Sequence, residues 1–155
     1  MPTVLIISDS LDIHSNIVEK ELLKYGISVA RFNTDTFASD NGEIILTKKI
    51  KRKEYIILKD VCYPLNEIIS VWYRRPGLIE TKVNDIHQKT FAQEEIGELV
   101  RQLYFYLDKT FWISPYLSLE AARPKIPQLR IAEFFGMKTP RTIATNSPSE
   151  IRSFF

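Results

Sequence analysis

Glycine is scarce in this chain, five in 155 residues, and the five are scattered. There is no Gly-x-Gly-x-x-Gly turn and no Walker-type loop whose backbone amides could cradle a phosphate. Histidine is scarcer still, with two, and there is one cysteine, Cys62. His14 and His87 lie far apart, so neither a zinc-ligand spacing nor a Ser-His-Asp set can be read from the sequence. A lone cysteine cannot form an internal disulfide, which fits a reducing compartment. The net charge is only +2, too small to mark a nucleic-acid binder. No apolar run approaches the length of a membrane span. The Met1-Pro2-Thr3 start lacks the basic residues of a secretory signal. These absences lead to the expectation of a soluble, cytoplasmic protein with neither membrane nor nucleic acid as partner. They leave no complete catalytic constellation and no metal site.

What is present is an ordinary globular balance, 45% apolar and 26% charged, on a chain long enough to bury a core. Residues 4–7 form a continuous apolar run, the pattern of a strand covered on both faces. Ile13, Ile17, Val18, Leu22 and Leu23 recur at helical spacing, and Gly26 is a natural stop. Residues 27–32 read as a second strand, and a β-α-β opening of this kind needs a right-handed crossover. Residues 43–47 and 55–58 predict a hairpin whose tip, Lys48 to Lys53, is basic. Residues 68–73 are a further strand, ended by Pro76-Gly77. Thr90-Phe91-Ala92-Gln93 has the capping-box pattern and precedes the stripe Ile96, Leu99, Val100, Leu103 and Leu107. Beyond it the pattern predicts a short strand at 111–113, a helix at 127–135 closed by Gly136, and a strand at 142–145.

The last residues are read as a helix start. Ser147-Pro148-Ser149-Glu150 combines a Ser cap, a Pro at the first helical position and a Glu three residues after the cap. Ile151, Phe154 and Phe155 then begin an apolar stripe. So short a helix is marginal alone, and the expectation is an amino-terminal piece of a larger α/β protein.

Three places draw functional attention. Arg74 and Arg75 follow the strand Val71-Trp72-Tyr73, and open α/β sheets collect ligands beyond their carboxyl ends. Guanidinium groups there suit a carboxylate or a phosphate. The other option is structural ion pairing with Asp35 or Asp9. Successive strand residues point to opposite faces, so one of the two arginines is expected at any given ligand. Ser8-Asp9-Ser10-x-Asp12 occupies the same edge after the first strand and is read chiefly as a helix cap, with ligand contact as the other option. The basic tip is read as a solvated hairpin end. Its alternative is attraction for an acidic peptide or a nucleic acid.

Four strings occur in order: Arg31-Phe32-Asn33-Thr34-Asp35; Val71-Trp72-Tyr73-Arg74-Arg75-Pro76; Lys125-x-x-Gln128-Leu129-x-x-Ala132-x-x-x-Gly136; and Pro140-Arg141-Thr142-x-x-Thr145-Asn146. Together the chain resembles the amino-terminal region of the microviridin-type ATP-grasp peptide ligases, the maturases of ribosomally made precursor peptides. The resemblance implies a Rossmann-like three-layer α/β/α pre-ATP-grasp domain with a mixed sheet over residues 1–115. It implies the start of the central ATP-grasp region over residues 116–155. It also implies a chemistry for the full-length protein. ATP phosphorylates a side-chain carboxylate, an amine or hydroxyl of the same peptide attacks, and Mg2+ offsets charge on the phosphates. Lys125 matches the lysine that reaches the nucleotide phosphates. Arg74 and Arg75 match the family string and are candidates for binding the precursor peptide substrate. No catalytic or metal-ligating residue is carried over, so this span is expected to be inactive and to hold neither ATP nor Mg2+ tightly. Ser114 departs from the pattern, where an asparagine is expected. Whether the protein forms a homodimer stays open. The alternative function is a free-standing peptide-binding module that uses the basic hairpin without catalysis.

Overall fold

The apolar run at the amino terminus becomes strand β1 (Thr3–Ser8), and Leu5, Ile6, Ile7 and Ser8 have no solvent exposure at all. Burial of this degree follows from its place in the sheet, with a parallel neighbour on each side. In the computed structural model, which describes residues 1–48 and 53–155, helix α1 (Ile13–Lys24) carries the chain to β2 (Ser28–Asn33). β2 pairs with β1 in parallel from Thr3↔Ser28 to Ser8↔Asn33. On the other edge of β1 runs β6 (Ile68–Arg75), also parallel, and β7 (Phe111–Ile113) adds to β6. The order β2-β1-β6-β7 is that of a doubly wound sheet whose winding reverses between β1 and β6.

Between β2 and β6 the chain builds a second sheet. β3 (Glu43–Ile45), β4 (Tyr55–Leu58) and β5 (Val61–Pro64) form an antiparallel meander in the order β3-β4-β5. The hairpin expected from the sequence is therefore there, although β3 ends at Ile45, short of the expected 43–47. Four residues of the basic tip, 49–52, lie outside the described residues. Parallel and antiparallel strands occupy two sheets, not a single mixed one.

Leu5 and Ile7 of β1, Ala30 and Phe32 of β2, and Val71 of β6 share one core with Ile44, Ile56, Leu58 and Leu65. Helix α2 (Ile86–Tyr106) closes that core with Val100, Leu103 and Tyr104. Full burial of side chains such as Leu5, Phe32, Ile56 and Leu103 contributes about 1.5–3 kcal/mol each. Ile6 alternates to the opposite face of the sheet, and α1 lies against β1 and β2. Two of the α1 positions expected inside, Val18 and Leu22, are half-buried, whereas Ile13, Ile17 and Leu23 are exposed. Spacing identified the helix but not its inner face, because one turn of α1 is anchored by the buried polar pair Asp12 and Ser15.

α2 starts one turn earlier than the capping-box pattern suggests. Asp85 is the cap and accepts from the His87 and Gln88 amides. Thr90 lies inside the helix, where its Oγ1 donates to the Ile86 carbonyl at 2.9 Å.

The chain divides into two compact units, Met1–Tyr116 and Leu117–Phe155. α3 (Tyr116–Ala122), which starts on the last residue of the first unit, runs into the second, where α4 (Lys125–Phe134) and α5 (Pro148–Phe154) follow. None of residues 117–155 is buried. Gly136 ends α4 with φ +75°, and Ser147 caps α5 by accepting from the Glu150 amide at 3.5 Å, both as the sequence suggests. The strand expected at 142–145 does not form. A strand needs a ladder partner, and none of the described strands lies in the second unit.

Candidate functional site

At the carboxyl ends of β1, β2 and β6 the three following loops are tied into one edge. Ser8, the last residue of β1, accepts through its carbonyl from the Thr34 amide at 3.0 Å. The Thr34 hydroxyl donates onward to the Gly77 carbonyl at 2.9 Å, which joins the end of β2 to the loop after β6. Gly77 suits this closeness: a Cβ there would sit 3.0 Å from Asp35 Cβ and 3.1 Å from Asp9 Cβ, and both aspartates would have to give by a few tenths of an ångström. Asp35 takes the Ser10 amide at 2.9 Å and the Ser10 hydroxyl, and its own carbonyl accepts from Glu80. Arg31 donates from Nε to Asn33 Oδ1 at 2.7 Å and from Nη2 to the Asp9 carbonyl at 3.0 Å. Much of the Arg31-to-Asp35 string thus acts as a brace between loops.

Asp12 is the cap of α1, as expected for the Ser-Asp-Ser-x-Asp stretch. Its carboxylate accepts from the His14 amide at 3.3 Å, the Ser15 hydroxyl at 2.6 Å and the Ser8 hydroxyl at 3.1 Å. Burial, the largest single influence, pushes its pKa up. The hydrogen bonds from Ser15, Ser8 and His14, with the charge of Arg74, outweigh it and hold the carboxyl below its ordinary value. The Arg31 pKa is lowered too, in its case because burial disfavours the charged guanidinium, opposed by the charges of Glu19, Asp12, Asp9 and Asp35.

Arg74 does pair with an acid, but with neither Asp35 nor Asp9. Its Nε lies 3.7 Å from Asp12 Oδ2. Asp35 is occupied by Ser10, and Asp9 Oδ1 by the Leu11 amide at 2.9 Å. The sequence missed this partner, although Ser8, Asp12 and Ser15 at helical intervals mark a polar cluster around a cap. The alternation argument also loses its ground here. Ile7 pairs with Tyr73 and Ser8 with Arg75, so the ladder passes over Arg74. An irregularity of this kind re-aims side chains, and strict opposition of Arg74 and Arg75 does not follow. Both arginines are exposed, at the reversal point of the sheet.

From Gly77 an open groove of about 420 Å³ runs between Leu78 and Ile79 on one side and Thr90, Gln93 and Gly97 of α2 on the other. Gln93 fixes its wall by donating to the Ile79 carbonyl at 2.6 Å. In the second unit Lys125 is the first residue of α4, exposed, with Nζ 3.4 Å from Gln128 Oε1. Ser114 follows β7 directly. Among the described residues, no three His, Cys, Asp or Glu side chains gather as a metal site, and no helix is long and apolar enough to cross a membrane.

Sheet order and helix placement together define an α/β domain of the doubly wound kind. The chain belongs to the MvdD pre-ATP grasp domain family, which it matches over residues 3–120. Among solved structures it is similar to the macrocyclase MdnC from Microcystis aeruginosa MRC, bound with its precursor peptide MdnA, at 28% identity and a TM-score of 0.86; the match covers 98% of this chain and 49% of that one. It is similar to the macrocyclase MdnB from the same source at 25% identity and a TM-score of 0.85, over 100% of this chain and 51% of that one. A Chryseobacterium gregarium RiPP-associated ATP-grasp ligase, in complex with ADP and a leader and core peptide, matches at 26% identity and a TM-score of 0.74, over 99% and 47%. The chain spans about half the length of these relatives. No curated protein sequence matches it at a significant level.

Proposed function

We propose that this chain is the amino-terminal half of an ATP-dependent ligase that joins a carboxylate to an amine or hydroxyl within a ribosomal precursor peptide. Residues 1–115 form the pre-ATP-grasp domain, and residues 116–155 open the central ATP-grasp region. The observation that carries this reading is the placement of Arg74 and Arg75 at the reversal point between β1 and β6, with a groove leading away from Gly77. An exposed guanidinium at that edge suits a peptide carboxylate, and the groove is open enough for an extended segment. The relatives crystallised with precursor, leader or core peptides support the same substrate class. The exposed Ile131, Phe134, Phe135 and Ile151 of the second unit suit a region whose core is completed by further chain.

Phosphoryl activation of the carboxylate is the chemistry the nucleotide brings. Of the residues here, Lys125 fits a part of that site. Its ammonium is exposed, and its contact with Gln128 is a long one to a neutral amide oxygen, which an anionic phosphate oxygen would replace with a stronger acceptor. The described residues do not by themselves fit a Mg2+ site, since they offer no acidic cluster. The 155-residue chain alone is therefore inactive in this reading.

The test uses the full-length gene product. Removing a hydrogen bond to a charged group costs about 1.5–3 kcal/mol, so Arg74→Gln or Arg75→Gln raises KM for the precursor peptide roughly 10- to 100-fold, with KM for ATP unchanged. Lys125→Ala shows the reverse split. An unchanged peptide KM in both arginine variants refutes the substrate assignment, and ATP hydrolysis by the isolated 155-residue chain refutes the division of labour.

A further inference from the structure

The Asp12 carboxylate is unusually well fixed for a side chain next to an exposed arginine. Its own exposure is 4%, against 35% for the Arg74 side chain. Three hydrogen bonds, from Ser15, Ser8 and the His14 amide, leave it no freedom to swing. Arg74 approaches it with Nε at 3.7 Å from Oδ2, an ion-pair distance longer than a hydrogen bond. Among the described residues, the terminal nitrogens of Arg74 have no hydrogen-bond partner. The other two acids of this edge are taken, Asp35 by Ser10 and Asp9 by Leu11.

We propose that Asp12 is the positioning residue for Arg74, holding the guanidinium by its Nε so that the two terminal nitrogens form a fork toward a ligand oxyanion. The inference rests on the substrate-binding reading of Arg74. Pre-organisation by a buried, hydrogen-bonded partner is what converts a flexible arginine into a directional binding group. The chemistry shared by the candidate ligands is a pair of oxygens with negative charge, supplied either by a peptide carboxylate or by a phosphate.

Two competing accounts predict different signs. If Asp12 acted only as a negative charge near the site, its removal would leave a more positive edge and tighten anion binding. If it served only as the α1 cap, Asp12→Asn would leave binding unchanged, because asparagine caps as well. Positioning predicts weaker binding. The experiment follows the Arg74 Nε–H resonance and the Gly77 amide by ¹⁵N NMR in the 155-residue chain. One titration uses a synthetic peptide carrying glutamates, and another uses inorganic phosphate. At least one probe shifts both signals in the unmodified chain; the peptide alone identifies a carboxylate, phosphate alone a phosphate group.

Asp12→Asn weakens that binding about threefold to tenfold, the usual size of coupling between touching groups. Asp12→Ser, a cap too short to reach Arg74, weakens it equally and guards against an effect peculiar to asparagine. Neither change alters what remains in an Arg74→Gln background. Binding that is equal or tighter in Asp12→Asn overturns the positioning role. If Arg74→Gln abolishes binding while Asp12→Asn leaves the affinity unchanged, the positioning role alone falls. If neither probe binds at millimolar concentration, or Arg74→Gln changes nothing, the substrate-binding reading of Arg74 falls with it.

Discussion

Replacing Asp12 by alanine removes three supports at once, and the structure gives the size of each. Loss of a side-chain cap costs about 1 kcal/mol. The hydroxyls of Ser8 and Ser15, both without solvent exposure, lose their charged acceptor, and an unsatisfied buried polar group costs about 1–3 kcal/mol. Against this, the mutant no longer keeps a carboxylate away from water. The net expectation is a loss of about 2–3 kcal/mol, or a drop in Tm of roughly 5–10 °C for a chain of this size. Asp12→Asn keeps the cap and one acceptor oxygen and should cost less than about 1 kcal/mol. Urea unfolding followed by tryptophan fluorescence reads both, since Trp112 is buried in the core.

The pH dependence carries a second check on the same residue. Burial raises the Asp12 pKa, but its hydrogen bonds and Arg74 lower it further, so the native value lies below the ordinary one. The margin of the unmodified chain over Asp12→Asn is then complete above about pH 4 and shrinks as the pH falls through the lowered native value. A cost for Asp12→Ala under about 0.5 kcal/mol, or a margin that grows on acidification, would refute the reasoning.

Two glycines should respond with opposite signs. Gly26, at φ +71° after α1, lies where an L-residue is disfavoured by about 1–2 kcal/mol, so Gly26→Ala lowers the unfolding midpoint. Gly97 lies within α2, and a Cβ there would make only an ordinary 3.9 Å contact with Ile79, so Gly97→Ala stabilises by about 0.5–1 kcal/mol; shifts of like sign in thermal melts would contradict the geometry. Tyr106→Phe removes the hydrogen bond that is the largest influence lowering the Glu54 pKa, against burial acting the other way. The Glu54 carboxyl, followed by ¹³C NMR, should then titrate closer to its ordinary value, and an unmoved titration would show that the contact is absent in solution.

The parts of the fold that were legible in the sequence are those with one dominant local cause. The β1 run is apolar at every position because both its faces are covered, and the Ser147-Pro148 start of α5 follows from cap chemistry alone. Elements set by tertiary context were not legible. β5 escaped notice because its turn from β4 uses Lys59 and Asp60, both at positive φ (48° and 64°), in place of the usual Asn-Gly. The true cap of α2, Asp85, is hidden as well, because a threonine inside a helix and a threonine at its start are the same residue until the hydrogen bond is seen. At the site, the arginine pair was visible from its place after an apolar strand. Its partner was not: Arg74 and Asp12 are brought together by the parallel pairing of β1 with β6 and by the slip in register between them, and sequence spacing encodes neither.

The same pairing has a consequence for how the protein is made. β1 meets β2 at Thr3↔Ser28 but meets β6 only at Thr3↔Ile68. At synthesis rates of roughly 5–20 residues per second, β6 follows β1 out of the ribosome after an interval of about 3–13 s. Throughout that interval the strand that ends up most deeply buried has one edge without a partner. The protein therefore passes, on every round of translation, through a stage at which the centre of its future core is exposed to chaperones and to neighbouring chains.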